Sequence, residues 1–246
     1  MEYQQAWEYQ ERLLNRNVQV KSAVRSLQLT DDNMQNPNLP SSNDELNTAN
    51  YLLFVEHPPV YTLGKSGHLE NLLLNEEEMI TKGIQFFKIN RGGDITFHGP
   101  GQMVGYPILD LEKFYTDIGK YLRNIEEVII LTLSEYGIKG HRSTGETGVW
   151  LDPDIPGQER KICAIGVRCS RWITMHGFAL NVNTDLDYFR HIIPCGIRNK
   201  KVTSIQNELG KKVSMDDVKE KVKRNFSIVF EATMVDRNEY QKSLGM

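Results

Sequence analysis

Apolar positions follow two regimes along the chain. Between Gln4 and about Arg25, Trp7, Leu13, Leu14, Val18 and Val24 recur at spacings that keep one apolar face, which predicts a helix packed on a core by one side. From Asn50 onward, short apolar runs bounded by Gly or Pro alternate with helical patterns. Tyr51–Glu56, Gln85–Asn90, Met103–Leu109, Thr147–Leu151, Lys161–Cys169 and Trp172–Val182 predict strands. Phe114–Tyr136 predicts a long helix with Gly137 as its stop, and Asp185–Ile193 a short helix ended by Pro194. Ser214–Glu231 predicts a last helix with Ser214 as its N-cap. This order predicts an α/β protein of the α+β type, a mixed β-sheet flanked by helices.

Thr30–Asn50 breaks the pattern. Of its 21 residues only Met34, Leu39, Leu46 and Ala49 are apolar and six are Asn, too little surface to offset the entropy of ordering. It predicts a polar loop insertion, because too little chain precedes it to form a separate core. With a short tail from about residue 233, residues 1–246 read as one domain. The longest apolar run, Tyr51–Val55, is far below the roughly 18 residues of a membrane helix, so no membrane partner is expected. Met1-Glu2-Tyr3-Gln4-Gln5 carries no secretory signal, which predicts a cytoplasmic protein.

Charge and cysteine usage narrow the chemistry. Twenty-nine Lys plus Arg against 32 Asp plus Glu leave no cation excess to drive nucleic-acid binding. Cys163, Cys169 and Cys195 are too few for a disulfide framework, and neither CxxC nor HExxH occurs, so no metal is expected.

Three segments carry unusual combinations. Arg91-Gly92-Gly93-Asp94-Ile95-Thr96-Phe97-His98-Gly99-Pro100-Gly101-Gln102 holds four glycines, an arginine and a histidine between two predicted strands. Glycine admits close backbone approach to a ligand and exposes amide N–H groups, and His98 can relay protons. A plain connecting turn has the same composition. Lys161 opens the apolar run Ile162-Cys163-Ala164-Ile165-Gly166, so its ammonium either has a partner or stands exposed at the strand end. By strand alternation Cys163 shares a face with Lys161. Cys195, between Pro194 and Gly196, is placed on a turn, where a thiol can be exposed and reactive. Cys163 and Cys169 lie inside an apolar strand.

Taken together, EHPPVYTLGK (56–65), RGGDITFHGPGQMVGYPILDL (91–111), GVW (148–150), KICAIGV (161–167), HGFALNV (176–182), PCGI (194–197) and VTSI (202–205) strongly resemble the lipoyl(octanoyl) transferase family. The resemblance implies the fold shared by lipoate ligases and the biotin-ligase catalytic domain. It implies an acyltransferase that needs no cofactor and carries octanoyl or lipoyl from acyl carrier protein to a lysine on lipoyl domains. The acceptors implied are 2-oxoacid dehydrogenase E2 subunits and the glycine cleavage H protein. Cys195 matches the family nucleophile and Lys161 its acid/base partner. Arg91, Gly92, Gly93, Asp94, Ile95, Thr96, Phe97 and His98 would line the substrate site with Ala164, Ile165, Gly166, Gly177, Phe178 and Ala179. Cys163 stands where the family usually has a small alanine-like residue. Arg198, Lys200 and Lys201 form the expected docking patch for an acidic carrier. The alternatives are an ATP-dependent lipoate–protein ligase, an octanoyl relay enzyme fed by an acylated protein, and a non-catalytic acyl-binding scaffold. Cys195 within PCGI favours the transferase.

Overall fold

The computed structural model describes residues 1–30, 47–193 and 201–236. The bulk of the predicted insertion, the predicted turn holding Pro194 and Cys195, and most of the tail lie outside the described residues. In chain order the strands are β1 (Tyr51–Val55), β2 (Val60–Leu63), β3 (Gln85–Lys88), β4 (Ile95–His98), β5 (Gln102–Ile108), β6 (His141–Ser143), β7 (Glu146–Leu151), β8 (Arg160–Ser170), β9 (Ile173–Asn181) and β10 (Lys201–Val202). The helices are α1 (Tyr3–Thr30), α2 (Glu76–Thr81), α3 (Ile118–Ser134), α4 (Ile205–Leu209) and α5 (Met215–Val229).

Six strands form a mainly antiparallel sheet in the order β1-β5-β9-β8-β7-β6, and β10 pairs in parallel with the start of β8. β3, β2 and β4 make a small second sheet. One face of the main sheet is covered by α3 and α5. Tyr121, Ile125, Ile129 and Leu133, spaced by four along α3, meet Val218, Val222 and Phe226 of α5 over Ile162, Cys163, Phe178 and Leu180. The other face is covered over β5 and β9 by α1, whose Ala6, Leu13 and Leu14 pack on Val104, Tyr106, Met175 and Ala179. This is the mixed sheet flanked by helices that the pattern predicts.

Differences from the sequence reading have local causes. The long helix begins at Ile118 instead of Phe114 because Asp117, in extended backbone, accepts the Lys120 N–H as its N-cap. It ends, as expected, ahead of Gly137 at φ +73°. Ser214 caps α5 through the Asp217 N–H, also as expected. Asp185–Ile193 is realised as a 3₁₀ stretch over Leu186–His191. β2 and β4 went unpredicted: β2 has four residues, and β4 lies inside the glycine-rich segment that reads as a turn. Yet Ile95 and Phe97 alternate inward there, into a separate core with Tyr61 and Leu74. Among the described residues no helix is long and apolar enough to cross a membrane.

Phe226 is buried and stacks on Phe230 with ring centroids 4.2 Å apart. Phe226→Ala is expected to cost about 3–5 kcal/mol in denaturant unfolding, by lost burial plus the cavity left behind.

Candidate active site

The site begins with a misfit between two strands. Leu151 pairs with Arg160 and Trp150 with Lys161, but Val149 pairs with Cys163, so Ile162 is an extra residue in β8. Paired residues share a face of the sheet. Val149, Ile162 and Cys163 all enter the core under α3 and α5, which leaves Lys161 and Trp150 on the opposite face. Ala164 shares that face, since its partner Ala179 belongs to the core under α1, and Gly166, two residues on and paired with Gly177, does too. Simple alternation from Lys161 to Cys163 therefore fails. Cys163 is a fully buried core thiol whose pKa burial pushes up, outweighing the nearby Lys161 charge.

On this face the half-buried Lys161 ammonium meets a backbone carbonyl and an aromatic ring. Its Nζ donates to the Thr147 carbonyl at 3.3 Å and lies 4.5 Å from the centroid of the buried Trp150 ring. Of the two alternatives open for this lysine, a partnered or an exposed ammonium, the structure shows the partnered one. Neither Thr147 nor Trp150 was assigned a role from sequence, although Trp150 lies in the GVW stretch.

The glycine-rich segment lies over the same face. Arg91 is buried, donating from Nη2 to the Thr62 carbonyl (2.8 Å) and hydroxyl (2.9 Å) and from Nη1 to the Gly92 carbonyl (3.0 Å). The Gly92 N–H donates to the Val167 carbonyl at 2.9 Å, docking the turn onto β8. A Cβ on Gly166 would stand 2.8 Å from the Gly92 carbonyl oxygen, so only glycine admits this approach. The structure thus brings Arg91, Gly92 and Gly166 together, with Gly177 opposite Gly166 in β9 and Ala164 farther along β8 towards Lys161. Asp94 ties the turn internally, accepting from the Ile95 N–H and from Asn71 Nδ2, each at 2.7 Å. Thr96 is half-buried between Ile95 and Phe97, whose side chains serve the small sheet's core. Ile165 and Phe178 point to the α3/α5 core, across the sheet from Lys161.

A chain of buried polar groups connects His98 to the lysine. Gln102 spends its Nε2 on the Phe97 carbonyl and on Asn181 Oδ1, so its Oε1, 2.8 Å from His98 Nδ1, accepts the imidazole proton. Asn181 Nδ2 donates to the Thr203 carbonyl, and the Thr203 N–H donates to the Lys161 carbonyl at 2.9 Å. His57 and His176 are also buried: His57 lies between the Met1 carbonyl and the Tyr106 hydroxyl, and His176 contacts Asn90. Desolvation lowers His57 to about 4 and His98 and His176 to about 3, so all three are neutral at pH 7.

The segment holding Cys195 lies outside the described residues, but both its ends are fixed. The Ile193 N–H donates to the Asn71 carbonyl at 2.8 Å, and Asn71 in turn holds Asp94 of the glycine-rich turn. On the other side β10 pairs Lys201 with Arg160 and Val202 with Lys161. A separate cavity of about 580 Å³, lined by Asn183, Asp187, Ser204, Asn207 and Lys212 among others, contains none of the expected site residues among those described.

The fold is that of lipoate–protein ligases. A chain of the bipartite lipoate protein ligase system of Thermoplasma acidophilum superposes with a TM-score of 0.59 at 21% identity, covering 80% of this chain and 78% of the other. A lipoate-protein ligase A bound with ATP does so with a TM-score of 0.60 at 18% identity, covering 80% of each. The sequence profile of the lipoyl protein ligase A/B catalytic domain matches residues 2–227, and the chain belongs to this family. Within it, the octanoyltransferase of Flavobacterium johnsoniae is 60% identical over 235 residues, 95% of this chain and 94% of the relative. That of Christiangramia forsetii is 56% identical over 234 residues, covering 95% and 93%.

The buried histidines make the fold acid-sensitive. Their folded pKa values lie below the unfolded value of about 6.5, so the unfolded chain binds more protons as pH falls through that window. Stability is expected to be full above about pH 6.5 and to fall below it, by up to about 1.4 kcal/mol per histidine per pH unit, until pH 3–4. Urea unfolding between pH 7 and 4.5 checks this, with a shallower slope expected for His57→Gln.

Proposed function

We propose that this octanoyltransferase takes its acyl group from octanoyl-acyl carrier protein, holds it as a thioester on Cys195, and delivers it to a lysine of a lipoyl domain with Lys161 as acid/base. The observation that carries the reading is the anchoring of the Cys195 segment at both ends. It leaves from the wall built by Asn71 and Asp94 and returns in register with Lys161, so Cys195 is tethered six residues from the strand that pairs with the lysine.

The chemistry suits these groups. A free thiol has a pKa of about 8.5, and an ammonium beside it favours the thiolate. The Cys195 thiolate attacks the donor's thioester carbonyl, the C–S bond to the pantetheine breaks, and Lys161 gives the leaving thiolate its proton. The incoming lysine amine then attacks the acyl-enzyme. The Cys195–acyl bond breaks and Lys161, now neutral, takes the amine proton as the amide forms. The first step exchanges one thioester for another and the second makes an amide, so neither needs ATP. On the same reading the glycine-rich turn, with Ala164, Gly166, Gly177 and Ala179, lines the acyl slot, where each methylene contributes roughly 0.8 kcal/mol. The acceptors are the lipoyl domains of 2-oxoacid dehydrogenase E2 subunits and the glycine cleavage H protein, in the cytoplasm. Arg198, Lys200 and Lys201 offer the acidic carrier its docking patch.

Transfer from octanoyl-acyl carrier protein to an apo-lipoyl domain is expected without ATP. Cys195→Ser and Lys161→Ala should each reduce the rate by roughly a hundredfold or more. Activity that depends on ATP and free octanoate would replace this reading with a ligase mechanism.

A further inference from the structure

Glu126 of α3 is a fully buried carboxylate that the mechanism above does not use. Its Oε2 accepts from Arg123 Nη1 at 2.6 Å and lies 3.2 Å from Arg142 Nε. Its Oε1 reaches into the sheet and accepts the Gly148 N–H at 2.9 Å. That N–H belongs to the Thr147–Gly148 peptide, whose carbonyl oxygen accepts the Lys161 ammonium. One peptide unit thus stands between a carboxylate on its N–H side and an ammonium on its C=O side.

The local backbone is shaped for this arrangement. Gly148 has φ +123°, a region that disfavours any side chain, and a Cβ there would lie 2.5 Å from the Cys163 carbonyl oxygen and 3.4 Å from Lys161 Cε. This conformation accompanies the register shift between Val149 and Trp150, the same irregularity that turns Lys161 away from the α3/α5 core. A carboxylate bonded to a peptide N–H polarises that peptide and makes its oxygen a stronger acceptor, because hydrogen bonds in a chain reinforce one another at low dielectric.

We infer that Glu126 is a positioning residue for octanoyl transfer: through the Thr147–Gly148 peptide it fixes and polarises the oxygen that holds the Lys161 ammonium. The inference rests on the role assigned above to Lys161.

The test is a double-mutant cycle on single-turnover acylation of Cys195 by octanoyl-acyl carrier protein. Glu126→Gln removes the charge. Glu126→Asp keeps a charge for the two arginines but draws the oxygen back from Gly148, so it serves if the Gln variant does not fold. Each is expected to lower the acylation rate constant at least about tenfold, with the half-saturating donor concentration changed less than about twofold. In a Lys161→Ala background the same substitutions should have little further effect. Equal losses with and without Lys161, or a loss confined to donor affinity, would overturn the inference and leave Glu126 a stability residue. Failure of the underlying reading would appear separately, as wild-type acylation by Lys161→Ala alone, and would overturn both.

Discussion

One extra residue in β8 governs which side of the main sheet carries Lys161. Were Ile162 paired in regular alternation with β7, Lys161 would fall on the face of Cys163 and enter the apolar core between the sheet and α3/α5. An ammonium there would pay a desolvation cost of several kcal/mol with no water to relieve it. The bulge instead sends two apolar side chains, Ile162 and Cys163, into the core. It leaves the lysine with Ala164 and Gly166 on the face where the glycine-rich turn docks. Bulges re-aim a side chain at the expense of one ladder position, and here the re-aimed group is the one cation of the KICAIGV run.

The remaining elements hold that face in place. Arg91 is spent on Thr62 and Gly92, so its charge knits the turn together from beneath. The chain from His98 through Gln102, Asn181 and Thr203 ends on the Lys161 backbone, and Glu208 pairs with Arg160 next to it. Rigidity of this kind suits the proposed two-step transfer, in which the same lysine would serve first a leaving thiol and then an entering amine. The face carries the small residues Ala164, Gly166 and Gly177 beside hydrogen-bonded groups that hold the backbone around them.

Much of this was legible in the sequence. The long apolar strands, the three main helices and the caps at Ser214 and Gly137 follow from periodicity and turn chemistry that tertiary contacts did not override. The glycine-rich segment and Lys161 stood out because glycines and a strand-end cation are costly unless used. What escaped were features with no local signature. β4 hid among glycines because four residues give too short an alternation to register. The bulge cannot be read from KICAIGV, whose residues alternate as well with it as without it; only the pairing with β7 reveals the extra residue. Thr62, Thr147 and Glu126 are ordinary residues in ordinary contexts, and their roles exist only through partners 29, 14 and 22 positions away.

The most direct test of the proposed thioester relay through Cys195 is intact mass spectrometry of the protein mixed with octanoyl-acyl carrier protein in the absence of ATP, before and after an apo-lipoyl domain is added. The account predicts one octanoyl group, removable by hydroxylamine and mapped to Cys195, that passes to the acceptor lysine. Acceptor octanoylation with no adduct ever forming on Cys195, or an adduct that the acceptor cannot discharge, would contradict it.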